Sequence, residues 1–253
     1  SARAAGGPAR IAQAPGAAGQ PLPRDLRAGA RRRGGVAGDP ARARVLDAGC
    51  GTGGNLQLLK QLGFKDLHGV DYSADAVAFC QTRGHSSVVK GDLNQLPYPD
   101  NHFDLILCSN VFESEEINES KAFLELKRVL KPGGQLVIVV AAFQFLLSEH
   151  DRAVHCIRRY NKPTARRAFA DGASNVDLKY LFFSVFPLLA THRLATKFLK
   201  SPEPQSDVGR APSLFGKPLY WLVRFEVWLS RFISFPFGSS LIVKIQKPAG
   251  GPS

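Results

Sequence analysis

Apolar and polar positions along this chain fall into three regimes. From residue 44 to about residue 141, short apolar runs alternate with stretches whose apolar residues recur every three or four positions. The runs Arg44–Ala48, Leu67–Asp71, Ser87–Gly91, Phe103–Ser109 and Gln135–Ala141 have the length of buried strands. Between them, Gly54–Leu62, Ala74–Arg83 and Ser120–Val129 carry helical spacing. Ser73 suits the cap of the second helix, because its side-chain oxygen can take an orphan N–H ahead of Ala74-Asp75-Ala76. Pro132-Gly133-Gly134 is expected to stop the third helix and turn the chain into the next strand. Such alternation predicts an α/β fold: a doubly wound, Rossmann-like, mostly parallel sheet with helices on both faces.

The pattern differs at both ends. Residues 1 to about 30 are Ala, Gly, Pro and Arg with almost no apolar periodicity, and are expected to be a disordered leader. The leader has no apolar core of the secretory kind. Residues 31–248 read as one domain, with a lid and helical insertion at about 142–235, and 249–253 as a tail. Within the insertion, Trp221, Phe225, Trp228, Leu229 and Phe232 recur at spacings of three and four, so they share one helical face. Lys217, Arg224 and Arg231 flank it. Packing of this face as core against the sheet is the expectation, and a helix lying on a membrane surface is the alternative.

Composition changes this picture in two ways. Net charge is +12, distributed unevenly. Residues 1–44 hold nine Arg and two acids, residues 45–139 eight bases and twelve acids, and residues 140–253 sixteen bases and seven acids. Basic flanks around a slightly acidic centre leave nucleic acid, anionic lipid and phosphorylated substrates open as partners. Cys50, Cys80, Cys108 and Cys156 are widely spaced, with no Cys-x-x-Cys pair and no His cluster. Reduced thiols, a cytoplasmic location and no metal are expected. No apolar run reaches the length of a membrane span.

The stretch richest in chemistry is Val45-Leu46-Asp47-Ala48-Gly49-Cys50-Gly51-Thr52-Gly53-Gly54-Asn55-Leu56. It reads as a strand, a glycine turn and a helix start, which brings backbone N–H groups and a helix N-terminus to a nucleotide-like ligand. Gly49, Gly51 and Gly53 permit positive φ and leave no Cβ between backbone and ligand. Asp47 is unsuited to a phosphate and suits a ligand with a cationic head, such as an amino acid's amino group. Asp71 ends the second strand about twenty residues after the turn, where an acid can accept both hydroxyls of a ribose. Taken alone, this pattern also fits a dinucleotide-binding oxidoreductase.

Three further pieces follow: Gly91-Asp92-Leu93-Asn94-Gln95-Leu96-Pro97-Tyr98, then Phe103-Asp104-Leu105-Ile106-Leu107-Cys108-Ser109-Asn110, then Leu130-Lys131-Pro132-Gly133-Gly134-Gln135-Leu136-Val137-Ile138. In this order and spacing, residues 44 to about 141 resemble the class I S-adenosylmethionine-dependent methyltransferases. The resemblance implies that Asp47, Gly49, Gly51 and Gly53 surround the methionine moiety of S-adenosylmethionine. Asp71 would hold its ribose, Asp92 and Leu93 its adenine, and Ser109 would line the cofactor's other face with Asn110 and Val111. Ser239–Gln246 would supply the last strand, in the antiparallel place this fold uses. Glu113-Ser114 departs from related sequences, which often carry a histidine after the glutamate.

Beyond the fifth strand, Ala141–Tyr160 is expected to form a lid over the acceptor. His150, Asp151 and His155 are its candidate acid–base groups. Arg158 and Arg159 suit a phosphate or carboxylate through their planar forks, with Tyr160 beside them. This segment, with Tyr180–Leu189, Ser206-Asp207-Val208, Arg224-Phe225-Glu226 and Pro236–Leu241, resembles a narrower methyltransferase subgroup, some of it tied to glycan or lipid-linked pathways. The implied reaction is methyl transfer to an oxygen of a small-molecule, glycan-like or lipid-linked acceptor. A non-catalytic cofactor-binding module is one rival reading. Nucleic-acid methylation ranks low, because no Asn-Pro-Pro-Tyr-type motif follows the fourth strand.

Overall fold

The structure, a computed structural model, describes residues 39–148, 151–152, 155–198, 213–230 and 232–249. The predicted leader (residues 1–30), His150, Arg231 and Ser206-Asp207-Val208 lie outside the described residues. Seven strands form one sheet: β1 Arg44–Ala48, β2 Asp66–Asp71, β3 Val88–Lys90, β4 Phe103–Ser109, β5 Leu130–Ala141, β6 Asn175–Leu181 and β7 Ser240–Gln246. Their order is β3-β2-β1-β4-β5-β7-β6. The first five pair in parallel. β7 is antiparallel to both of its neighbours, as expected for the last strand.

The helices are α1 Gly54–Gln61, α2 Ala74–Thr82, α3 Glu119–Val129, α4 Lys162–Phe169, α5 Phe186–Phe198 and α6 Ser213–Leu229. Successive strand residues point to opposite faces, so each central strand feeds two cores. Leu46, Ile106, Leu136 and Ile138 pack on one face with Phe123 and Leu126 of α3 and Phe169 of α4. Val45, Leu105, Leu107 and Val137 pack on the other, with Leu59 of α1 and Phe64. Each such side chain, when fully buried, contributes roughly 1.5–3 kcal/mol. Local signals agree with these placements. Ser73 accepts the Ala76 N–H at the start of α2. Asn118 does the same for Lys121 at α3, whose last turn carries Lys127 and Arg128 against the helix dipole.

Three expectations need correction. β5 starts at Leu130 rather than Gln135, and Pro132-Gly133-Gly134 lies within it as an irregularity. Between the pairs Phe103↔Leu130 and Leu105↔Gln135 the register shifts, and Gly133, at φ 75°, donates its N–H to the Lys247 carbonyl. The proline disfavours helix at the residue before it, so α3 ends at Val129, as expected, and the chain extends at once. Second, the stretch 142–235 is not wholly helical, because it contains the edge strand β6. Val176, Leu178 and Tyr180 alternate there with Asp177 and Lys179, a period of two.

Third, the aromatic face of α6 is not core. Trp221, Phe225, Trp228 and, just past the helix end, Phe232 are exposed and Leu229 is half-buried, whereas Glu226, Val227 and Ser230 are buried. The inward anchor is polar: the Glu226 carboxylate accepts the N–H of Phe183 and that of Ser184, the latter at 2.9 Å. A helix docked by a carboxylate on backbone donors turns its aromatic face away from the sheet.

Candidate functional site

The carboxyl ends of β1, β2, β4 and β5 share one edge of the sheet, and this edge carries the predicted chemistry. β1 delivers Asp47 into the interior, with no exposed surface. After it the chain turns through Gly49, Gly51 and Gly53, at φ 76°, 51° and 79°. A Cβ on Gly49 would lie 2.3 Å from Cγ2 of Val111, whereas one on Gly51 would meet nothing within 4 Å. Gly49 is therefore needed for close packing, whereas the space beside the Gly51 Cα is open. Gly53 caps α1 without a side-chain hydrogen bond, and no acid sits in that first turn. The helix begins with orphan N–H groups.

Asp71 ends β2 directly across from this turn. Its Oδ2 accepts the Gly51 N–H at 2.8 Å and its Oδ1 the Ser73 N–H at 2.9 Å. A carboxylate has about four acceptor positions, so two remain for a diol. Asp92 is exposed, and its Oδ1 accepts from the Asn94 backbone and side chain at 2.8 and 2.9 Å. Leu93 is buried beside it, so it can offer a ligand only backbone. Ser109 is the last residue of β4, half-buried. Asn110 follows at φ 55°, its N–H donated to the Val139 carbonyl at 2.8 Å.

Asp47 is the electrostatic oddity of the site. Its Oδ1 receives only a long bond from Asn55 Nδ2 at 3.4 Å, and Oδ2 is buried without a partner. Burial pushes its carboxyl up to about 7, with the nearby Asp71 charge adding to the effect. A buried carboxylate with an unused acceptor position favours a cation brought by a ligand. Buried orphan oxygen, positive-φ glycines and open helix N-terminus together fit S-adenosylmethionine, which presents an ammonium, a ribose diol and an adenine.

The lid residues hold a different arrangement. Asp151 is buried and accepts from Ser148 N at 2.8 Å, Arg159 Nη2 at 3.0 Å and both terminal nitrogens of Arg193. Burial opposes its ionisation, but the Arg193 bond and the Arg159 charge outweigh it and hold the carboxyl below its ordinary value. Arg159 also reaches the Ala142 carbonyl, and Arg193 that of Leu146. Tyr160 is buried, its hydroxyl bonded to the Phe112 carbonyl at 3.1 Å and Glu119 Oε2 at 2.6 Å. Burial, then that glutamate, raise its pKa. Asp151, Arg159 and Tyr160 therefore face inward and tie the lid to the domain. His155 and Arg158 differ. His155 is exposed, at φ 60°, with Nδ1 4.0 Å from Glu116 Oε1. Arg158 is half-buried and makes no side-chain hydrogen bond among the described residues.

Sequence reasoning overlooked Glu113 and Arg193. Glu113 is buried past the end of β4 and accepts the Ala141 N–H at 2.5 Å, while its Oε2 has no partner. Burial raises its carboxyl to about 7. Its departure from the usual Glu-His pair was the available signal. Arg193 gave none, because its ion pair joins residues forty-two apart in the chain. Among the described residues, no group of three or more His, Cys, Asp or Glu is placed to hold a metal ion. No described helix is long and apolar enough to cross a membrane.

The glycine turn, the acid that ends β2 and the switch in strand order together define a doubly wound methyltransferase fold. Residues 46–138 match the family described as Methyltransferase domain, so this stretch is a domain of the class I S-adenosylmethionine-dependent methyltransferase kind. The cofactor of that domain is S-adenosylmethionine. The chain is 35% identical over 116 residues to the fatty-acid O-methyltransferase of Mycolicibacterium smegmatis, covering 44% of this chain and 42% of that protein. It is 37% identical over 102 residues to the probable tRNA methyltransferase 9B of Homo sapiens, covering 40% of this chain and 22% of that one. The chain thus spans less than half the length of either relative. The fold is shared with a methyltransferase solved in complex with the Haloferax volcanii Trm112 activator, at TM-score 0.54 and 21% identity, covering 85% and 88% of the two chains.

Proposed function

We propose that this chain transfers a methyl group from S-adenosylmethionine to an oxygen of a small-molecule, glycan-like or lipid-linked acceptor. The observation that carries the cofactor half is Asp47: a fully buried carboxylate with one unpartnered oxygen, set above a turn of positive-φ glycines. In this reading Asp47 meets the ammonium, Asp71 the ribose, Asp92 and the Leu93 backbone the adenine, and Ser109 the remaining face. The bound cofactor supplies an already activated sulfonium methyl, so the protein's own work is alignment and exclusion of water.

On the acceptor side, the arrangement favours a division of labour within the lid. Asp151, Arg159 and Tyr160 position it. Arg158 is left to meet an anionic part of the acceptor, and exposed His155, beside Glu116, to take a proton where the acceptor is a hydroxyl. An apolar acceptor body is favoured by the rings at the end of β5, where Phe143 stacks on Tyr180 at 5.1 Å and meets Phe186 at 5.4 Å. Phe143 holds φ 62° there, a conformation costly for a bulky residue and concentrated at functional sites. The fatty-acid methyltransferase relative agrees with this acceptor class.

Calorimetry with Asp47→Asn tests the cofactor assignment, with an expected loss of S-adenosylmethionine affinity of about 1.5–3 kcal/mol. Unchanged affinity in a folded variant removes the central support. Methyl-labelled cofactor offered with fatty acids, glycolipid extract and tRNA separates the acceptors, and label confined to tRNA overturns the oxygen assignment.

A further inference from the structure

Helix α6 presents a surface that the methyl-transfer site does not use. Phe225, Trp228 and Phe232 are 56%, 50% and 71% exposed. Phe225 stacks on Trp228 at 5.6 Å, and Trp228 meets Phe232 edge-on at 5.3 Å, so they form one stripe rather than scattered rings. Leu222 and Ile233 extend it, and both are exposed. Soluble monomers rarely expose contiguous apolar patches beyond a few hundred Å², and the largest such patch is often functional.

Two observations identify the occupant. The first is charge. The Arg224 guanidinium lies 5.4 Å over the Trp221 ring, at the flank of the stripe. The one acid of the helix, Glu226, is buried against the Phe183 and Ser184 backbone. Residues 140–253 as a whole carry sixteen bases and seven acids, a net +9. Large aromatics beside an arginine, in a strongly basic half of the chain and with the acid turned inward, match a helix lying in an anionic bilayer interface.

The second is continuity with the site. Three residues beyond Phe232, Phe235 begins a chain of rings: Phe235 to Phe183 at 5.1 Å, Phe183 to Phe237 at 4.6 Å, Phe237 to Phe186 at 5.0 Å and Phe186 to Phe143 at 5.4 Å. That chain ends where the polypeptide leaves β5. β6 and β7 bring Leu181 and Ser240 to the same edge, through the pairs Ala141↔Ser240 and Leu181↔Ser240. This ring chain therefore runs from the segment just beyond the stripe to the carboxyl edge of the sheet.

We propose that the aromatic stripe of α6 docks on an anionic lipid bilayer, and that an acceptor with an apolar tail passes from there along the ring path to the end of β5. The second clause rests on the methyl-transfer reading above; the docking surface does not. Both tryptophans of the chain, Trp221 and Trp228, lie on α6, so intrinsic emission reports directly on it.

The full chain is mixed with vesicles of phosphatidylcholine alone, or with phosphatidylglycerol added, and followed by flotation and tryptophan emission. With anionic vesicles, flotation and a blue shift that weaken with added salt are expected. The double variant F225S/F232S keeps both reporters. It should bind at least about tenfold more weakly, with an unchanged melting temperature and unchanged S-adenosylmethionine affinity by calorimetry. R224E should weaken binding to anionic vesicles and leave the weak neutral binding as it was.

Absence of anionic binding by the wild type overturns the proposal, as does full binding by F225S/F232S. A concentration-dependent dimer abolished by F225S/F232S, without vesicle binding, assigns the stripe to a second copy and also overturns it. Vesicle binding that appears only after residues 1–38 are removed assigns the stripe to the leader and overturns it likewise. Failure of S-adenosylmethionine to bind in the parallel calorimetry touches only the methyl-transfer reading.

Discussion

The two halves of the domain distribute charge in opposite ways. In the cofactor half, residues 44–141, apolar side chains fill both faces of the sheet, and a carboxylate is left buried with no cation beside it. In the lid half, residues 142–235, the charges find one another: Asp151 is gripped by Arg159 and Arg193, and Glu226 by backbone N–H groups. It is the aromatic residues there that remain outside. One half keeps a carboxylate oxygen unpaired for a ligand, while the other pairs its buried carboxylates, Asp151 and Glu226, internally and offers apolar surface. Polarity alone is therefore a poor guide to function in this chain; what matters is whether each polar group already has a partner.

The sharpest way to break this contrast is Asp151→Ala. It would leave Arg159 and Arg193 buried without their shared anion, an arrangement that costs about 3–5 kcal/mol. The melting temperature should fall steeply, and a mild effect would mean that the lid charges are not held as a unit. Asp71→Ala works on the other half. S-adenosylmethionine affinity should drop by about 1–3 kcal/mol while the fold persists, read by calorimetry and circular dichroism.

A third measurement uses pH. Burial raises both Asp47 and Glu113 to about 7 in the folded chain, from ordinary values of 3.8 and 4.5. The folded protein then holds protons that the unfolded chain has released. Stability without ligand should fall as pH rises from the ordinary carboxylate range to about 7, by up to about 1.4 kcal/mol per pH unit for each group. Asp47→Asn should flatten part of that slope in melting curves taken across this range, and an unchanged slope would relieve Asp47 of its strain. The smallest expected effect is the most telling for the lid. Trp228→Ala should change stability by only about 0.5 kcal/mol, because the ring is already outside. A large loss in thermal melting would return the stripe to the core.

The cofactor half was legible because its determinants are local. Asp47, the three glycines and Asp71 lie within twenty-five residues, and strand and helix periods there are clean. The lid half was less so, for physical reasons. The spacing of Trp221, Phe225 and Trp228 shows that they share a face, but periodicity cannot say which way that face turns. The direction was decided by Glu226 meeting residues more than forty positions earlier. Arg159 and Arg158 are neighbours of identical chemistry. Only the fold separates the one that holds Asp151 from the one whose side chain makes no hydrogen bond among the described residues. β6 was readable from Val176, Leu178 and Tyr180, yet the surrounding helical aromatics concealed it.

The place of β7 in the sheet has a consequence for how the chain assembles. Residues 240–246 are inserted between β5 and β6, although they follow both in sequence by many residues. As a nascent chain emerges, β5 shows a bare edge of backbone donors and acceptors, and β6 has no strand to pair with until these residues arrive. β6 in particular must wait, unpaired, until a single late strand closes the gap. Long-range pairing of this kind is slow and leaves an open edge exposed meanwhile. A chain interrupted before residue 240 would retain the parallel strands and lose the partner that holds β6 in the sheet.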